Sequence, residues 1–242
     1  MRPAPRHGSV VLLSGGMDSA TCLAIAGARG PVFALSFLYG QRHRRELDAA
    51  RALARRFGVV RHEVVRLPIG RLLDSALTQS DRPIPKRGGA GPSRIPASYV
   101  PARNTILLAV ALGYAESRGV RSIYVGVNAL DYSGYPDCRP EYLRAFQRLA
   151  ALATREGVEG RPVRVLAPLL RLTKGEIVRL GERLGVPWDL TWSCYEGKAR
   201  PCGRCDACRF RRLGFQEAGV VDPLDGRART RRRPGKRVNR PA

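Results

Sequence analysis

Residues Ser9-Val10-Val11-Leu12-Leu13 form a short apolar run that stops at Ser14-Gly15-Gly16-Met17-Asp18-Ser19, and Ala20-Thr21-Cys22-Leu23-Ala24-Ile25-Ala26 then resumes apolar character. That order predicts a buried strand, a tight glycine turn and a helix. Two adjacent glycines let the backbone turn sharply and come close to a ligand with no Cβ in the way. The first turn of the helix has N–H groups without intrahelical partners, and the helix dipole adds partial positive charge there. With the hydroxyls of Ser14, Ser19 and Thr21 beside those donors, the segment is expected to cradle a phosphate.

The rest of the chain repeats the theme. Pro31 to Phe37 reads as a second strand, Arg44 to Phe57 as a helix with Leu47, Ala50, Leu53, Ala54 and Phe57 at three- and four-residue steps, and Arg61 to Val65 as a third strand. Strand–helix alternation of this kind predicts an α/β fold with a doubly wound parallel sheet. Ligands in such sheets bind at the carboxyl ends of the strands, which places the Ser14 loop and Tyr39-Gly40-Gln41-Arg42 on one side. A helix is expected over Arg103 to Arg118, a strand over Ser122 to Val127, a helix over Pro140 to Thr154 and a strand over Val163 to Ala167. Thr173-Lys174-Gly175-Glu176 is a capping box opening a further helix that stops at Gly185.

Two stretches break the periodicity. Residues 68–101 contain six prolines and Gly88-Gly89-Ala90-Gly91 and are expected to be an irregular insertion. The run from Asn128 to Pro140 is polar, aromatic and glycine-rich, and it follows a strand at the ligand side. The domain reading is therefore an α/β unit over 1–190 with an insertion at 68–101, a four-cysteine segment over 191–218, and a basic, disordered tail over 219–242.

Cys194, Cys202, Cys205 and Cys208 lie close together, with Pro201 and Gly203 to turn the chain. Four thiolates at that spacing suit a closed tetrahedral zinc site, one ion per chain. An iron–sulfur cluster also takes four cysteines, and a disulfide pair is the plainer alternative. Lys198, Arg200, Arg204, Arg209 and Arg211 would offset the negative charge of a thiolate-bound metal. Cys22 reads as a small buried hydrophobe. Cys138 stands among polar residues with no histidine near it in sequence.

The net charge of +23 is carried almost wholly by arginine. Such a balance suits polyanionic partners, nucleotides or RNA among them, although a base-composition bias of the genome is the preferred explanation. Part of the excess sits in Arg227 to Ala242. No run of eighteen apolar residues is present, so no membrane span is expected, and the basic N-terminus lacks the apolar region of a secretory signal. A cytoplasmic enzyme is the expectation.

The loop lacks the lysine that a Walker motif requires. Its S-G-G-x-D-S pattern instead resembles the pyrophosphate loop of the ATP pyrophosphatase families, which split ATP between the α and β phosphates. Taken with Tyr39-Gly-Gln-Arg-His43 and Glu46, Val100-Pro-Ala-Arg-Asn104, Asp131-Tyr-Ser-Gly-Tyr-Pro-Asp-Cys-Arg139 with Glu141, and Ser193-Cys-Tyr195 leading to Pro201–Cys208, the chain resembles the 7-cyano-7-deazaguanine synthase family. These segments span residues 9 to 215 in the family's order. Ala102 stands where the family often has glycine, and the basic tail is extra.

The resemblance implies an adenine nucleotide alpha hydrolase-like, Rossmann-like fold. It also implies an ATP-dependent ligase that joins ammonia to 7-carboxy-7-deazaguanine, adenylating first the carboxylate and then the amide. Leu13, Ser14, Gly15, Gly16, Met17, Asp18, Ser19, Ala20 and Thr21 would hold ATP, with Asp18 on Mg2+ and Lys174 toward the pyrophosphate. Arg103 and Arg42 would bind phosphate or carboxylate, and Gln41, Asp131, Ser133, Asp137 and Arg139 would read the deazaguanine. Tyr39, Tyr132 or Tyr135 would stack on a base. The family tends to form homodimers. Two other readings remain open at this point: a related enzyme adenylating tRNA for thiolation, and a zinc-stabilised RNA-binding module without catalysis.

Overall fold

A computed structural model describes residues 8–79, 81–84, 95–129 and 134–225. Five parallel strands form one sheet: β1 (Ser9–Leu12), β2 (Val32–Leu38), β3 (Arg61–Arg66), β4 (Ser122–Tyr124) and β5 (Arg164–Leu166), in the order β3-β2-β1-β4-β5. The helices between them are α1 (Met17–Gly27), α2 (Arg45–Arg56), α3 (Arg103–Ser117), α4 (Pro140–Leu152) and the one-turn α5 (Arg155–Val158). α6 (Lys174–Arg183) and α7 (Asp206–Ala218) follow. Strand order reverses between β1 and β4, so the doubly wound α/β reading holds, and the switch point lies beside the glycine loop.

Successive residues of a strand face opposite sides of the sheet, both covered by helices, which explains why β1 and β2 are apolar apart from Ser9 and Ser36. Val11, Leu13, Val32 and Ala34 pack under α1, α2, α6 and α7, joined by Leu23, Leu53, Ile177 and Phe215. Val10, Phe33, Leu35 and Phe37 pack under α3 and α4 with Leu108, Leu112, Leu143 and Phe146. β3 closes one edge, with arginines at both ends to discourage pairing with another chain.

Three differences from the sequence reading have physical causes. β4 ends at Tyr124 rather than Val127, because β1 pairs with it only through Ser9–Val11 and then turns into the loop. β5 is likewise shorter than 163–167. Helix α7 went unread because its buried stripe is Cys208, Arg211, Gly214 and Phe215, with an arginine where periodicity calls for an apolar residue. Arg211 is only 4% exposed. It is satisfied by a two-pronged pair with Asp222 at 2.8 and 2.9 Å and by donation to Thr191 Oγ1 and the Trp188 carbonyl. The described parts of 68–101 contain only turns, and the tail from 226 onward lies outside the described residues.

Ala102, at the N-cap of α3, adopts φ 51° and ψ 21°, the left-handed region that glycine enters freely. We expect Ala102→Gly to raise stability by about 0.5–1 kcal/mol, the relief of strain exceeding the added chain entropy. Urea unfolding of the two proteins measures it, and an unchanged or lower midpoint would count against the strain.

Candidate active site and cysteine cluster

The loop after β1 is organised by hydrogen bonds among its own residues. Ser14 and Ser19 hydroxyls lie 3.0 Å apart; Ser19 Oγ donates to the Gly16 carbonyl and accepts from Ser14 N–H, while Gly16 N–H donates to Ser14 Oγ. Gly15 has φ +90°, and a Cβ on it would sit 2.2 Å from the Glu46 carbonyl oxygen, so no side chain is tolerated there. On its other side the Gly15 carbonyl accepts from Trp192 N–H at 2.9 Å. The loop is thus held between the start of α2 and the cysteine segment.

Asp18, in the first turn of α1, meets Lys174, the first residue of α6. Lys174 Nζ lies 2.6 Å from Asp18 Oδ2, which also accepts from Asn128 Nδ2 at 3.2 Å. Asp18 Oδ1 is buried without a hydrogen-bond partner. A carboxylate oxygen so placed suits a cation that the remaining lone pairs would coordinate. The sequence reading placed Asn128 at the head of the ligand-side run 128–140 without a role of its own; its one signal is a polar residue just beyond a strand's carboxyl end.

A cavity of about 290 Å³ runs from Ser14, Gly16, Asp18 and Ser19 to Arg103 and Tyr135. Arg103 stands over the Tyr39 ring at 5.9 Å and donates to its hydroxyl at 3.4 Å. Burial is the largest influence and opposes the Arg103 charge, but Tyr39, Cys138 and Tyr135 together offset it, so the pKa is raised and the group stays a cation. Glu46 faces the same space; burial pushes its carboxyl up to about 7, with Arg103 pulling the other way. His43, pressed against Gly197, has its pKa lowered, chiefly by burial.

The other expected residues divide. Gln41 lines the cavity, yet its amide is engaged with Tyr39 N–H and the Phe37 carbonyl, each at 2.8 Å, so it shapes the end of β2. Arg42 lines the rim and donates to the carbonyls of Gln79 and Arg82, tying the irregular segment down. Tyr135 stacks on Tyr99. Leu13 lines the cavity, whereas Met17 and Ala20 are buried in the core.

Thr21 does not join the phosphate cradle. It is fully buried, and its hydroxyl donates to the Met17 carbonyl inside α1. Asp137 does not face the cavity either: it is 6% exposed and its Oδ2 accepts from Asn104 N–H at 2.8 Å, satisfying a first-turn donor of α3. Arg139 is exposed, outside the cavity lining. Cys138 does line it and accepts from Asn104 Nδ2 at 3.0 Å. Asp131, Tyr132 and Ser133 lie outside the described residues.

The sulfurs of Cys194, Cys202, Cys205 and Cys208 all fall within 4.8 Å of one another. Backbone N–H groups point at them: Cys202 and Glu196 donate to Cys194 Sγ, and Arg204 and Cys205 to Cys202 Sγ, at 3.2–3.4 Å. Such donors stabilise thiolates. A hydrogen bond from Cys208 lowers the Cys205 thiol, and the same bond raises Cys208. The donor set and its burial fit a four-thiolate metal ion.

Helix α7, which starts beside Cys205, in turn seats Lys174. Gly214 lies against the Lys174 backbone, where a Cβ would be 2.9 Å from Lys174 Cβ. Glu217 accepts from Thr173 Oγ1 at 2.7 Å and Gly175 N–H at 3.2 Å, bracketing the lysine. The capping box itself is complete, with Thr173 and Glu176 exchanging hydrogen bonds. We expect Glu217→Ala to cost about 1 kcal/mol in urea unfolding and Glu217→Gln, which keeps an acceptor, less. Equal losses from both would show that the bracket contributes nothing.

Residues 8–219 match the family described as queuosine biosynthesis protein QueC. A 7-cyano-7-deazaguanine synthase from Anaeromyxobacter sp. (strain Fw109-5) is 57% identical over 228 residues, covering 92% of this chain and 97% of that protein. Its counterpart in Anaeromyxobacter dehalogenans is 58% identical over 219 residues, or 89% and 94% of the two chains. That of Cupriavidus taiwanensis is 56% identical over 218 residues, or 89% and 95%. From β1 through α7, then, this chain belongs to the QueC family of queuosine biosynthesis proteins.

Proposed function

We propose that this enzyme converts 7-carboxy-7-deazaguanine and ammonia into 7-cyano-7-deazaguanine, consuming ATP as cosubstrate. Family membership supports the reaction, and one observation supports the site: a single cavity joins the Ser14–Ser19 loop to Arg103. A triphosphate at one end and a carboxylate at the other would meet inside it.

A carboxylate resists attack because its leaving group would be oxide. ATP supplies AMP as the leaving group, once for the acid and once for the amide, so one loop serves both halves. The N–H groups at the start of α1 would hold the phosphates. Asp18 Oδ1 would bind Mg2+, which neutralises phosphate charge, and Lys174 would move from Asp18 toward the pyrophosphate. Arg103 would fix the substrate carboxylate in two-pronged fashion. Gln41 and Arg42 would shape the rim, and Asp131 and Ser133 would read the base.

The cysteines would hold one Zn2+ in a structural role, packed behind the loop through Trp192 and Ala49. No described helix is long and apolar enough to cross a membrane. A homodimer in the cytoplasm completes the reading, and sedimentation of the purified protein tests the dimer.

Incubation with ATP, magnesium, ammonium and 7-carboxy-7-deazaguanine should give the nitrile by mass, with AMP release that depends on the acid. AMP release that depends on tRNA instead would overturn the assignment. Lys174→Met should lower kcat by about 10²–10³-fold while leaving the fold intact by circular dichroism. Metal analysis should find one zinc per chain, and Cys205→Ser should lose it together with most of the folding yield; a soluble, stable and metal-free variant would contradict a structural role.

A further inference from the structure

Ammonia presents a difficulty that the phosphate loop does not address. At neutral pH it is ammonium, which has no lone pair for attack, so a site that uses it needs somewhere for a proton to go.

Glu46 occupies the first turn of α2 and faces the cavity. Its own backbone carbonyl touches Gly15, so the side chain begins beside the phosphate loop and extends toward Arg103. Among the described residues its carboxylate has no hydrogen-bond or ion-pair partner, unlike Asp18, whose Oδ2 is held by Lys174 and Asn128. Glu46 is half-buried, so its carboxylate is open to a ligand or water in the cavity. The same cavity is lined by Arg103 from α3, Asp18 from α1, Tyr39 from the end of β2, Arg42 and His43 from the loop before α2, Tyr135 and Cys138 from the segment before α4, and Tyr195 from the cysteine segment.

We propose that Glu46 is the general base that takes a proton from ammonium at the activated carboxylate. The inference rests on the reaction assigned above. Ammonium binds against the Glu46 carboxylate and gives it one proton. The freed lone pair forms the C–N bond at the acyl carbon, and the C–O bond to AMP breaks with its electron pair leaving on the phosphate. A second proton passes to solvent as the amide forms. Arg103 assists, because a neighbouring cation disfavours ammonium relative to ammonia. Burial that raises the Glu46 carboxyl to about 7 makes the proton transfer more favourable than to an ordinary glutamate. A pKa near the working pH is what general-base catalysis favours.

Three measurements on the full-length enzyme test this. Glu46→Gln should keep acid-dependent exchange of labelled pyrophosphate into ATP within about threefold of the parent. Its ammonium-supported nitrile formation should fall by about 100-fold or more. Hydroxylamine, largely unprotonated at neutral pH, needs no base and should still yield the hydroxamate. In the parent at saturating ammonium, the rate should rise through pH about 7, where Glu46 ionises, and the hydroxylamine-supported rate should lack that limb. Loss of pyrophosphate exchange along with turnover would overturn the proposal, since Glu46 would then serve nucleotide or acid binding. So would undiminished nitrile formation, or an identical pH limb with hydroxylamine. If the parent itself shows no acid-dependent exchange, it is the assigned reaction that fails. The parent's pH limb needs no variant, so a poorly folding Glu46→Gln protein leaves that arm decisive.

Discussion

The structure depends on one close approach. Gly15 lies between the carbonyl of Glu46 and the N–H of Trp192, at a φ that a side chain rarely adopts and in a space that a side chain would overlap. This contact sets how near α2 comes to the loop and anchors the segment leading to the cysteines. It also aims the first turn of α1 across the switch point of the sheet. Loosen it, and the donors that would grip a phosphate, the carboxylate of Glu46 and the position of Cys194 all shift together.

Behind the loop, the cysteine cluster and α7 act on chemistry they do not touch. The cluster sits at the start of α7, and α7 presents Gly214 and Glu217 to the residues on either side of Lys174. Lys174 thereby reaches Asp18 with both side chains largely withdrawn from solvent, 12% and 22% exposed. An ion pair in such surroundings is specified by its supports more than by its own attraction, because desolvation offsets much of the Coulombic gain. The buried Arg211–Asp222 pair plays a similar part, closing α7 onto the turn at Trp188 that precedes the cysteines.

How much of this was legible in the sequence follows from how local each signal is. Apolar runs broken by glycine, and a capping box spelled out in four residues, announce themselves, so β1 to β3, α1 to α4 and α6 were readable to within a few residues. Four closely spaced cysteines were readable for the same reason. What escaped depends on partners distant in the chain. Thr21 reads as a phosphate ligand until α1 turns its hydroxyl inward to the Met17 carbonyl. Asp137 reads as a base-reading acid until α3 arrives with an N–H to cap. Asn128 and Glu217 are ordinary polar residues until folding brings Asp18 and Thr173 to them. In α7, a single arginine inside the apolar stripe hid a helix of thirteen residues.

The join between Gly15 and Trp192 also has a consequence in time. The loop at 14–19 leaves the ribosome well before Lys174, Trp192 and Glu217 do. A growing chain can pair β1 with β2 early, but it holds the loop open on one side until those residues emerge. Nascent fragments without those residues therefore lack the contacts that close the loop, and the candidate site is completed only after Glu217 has been made.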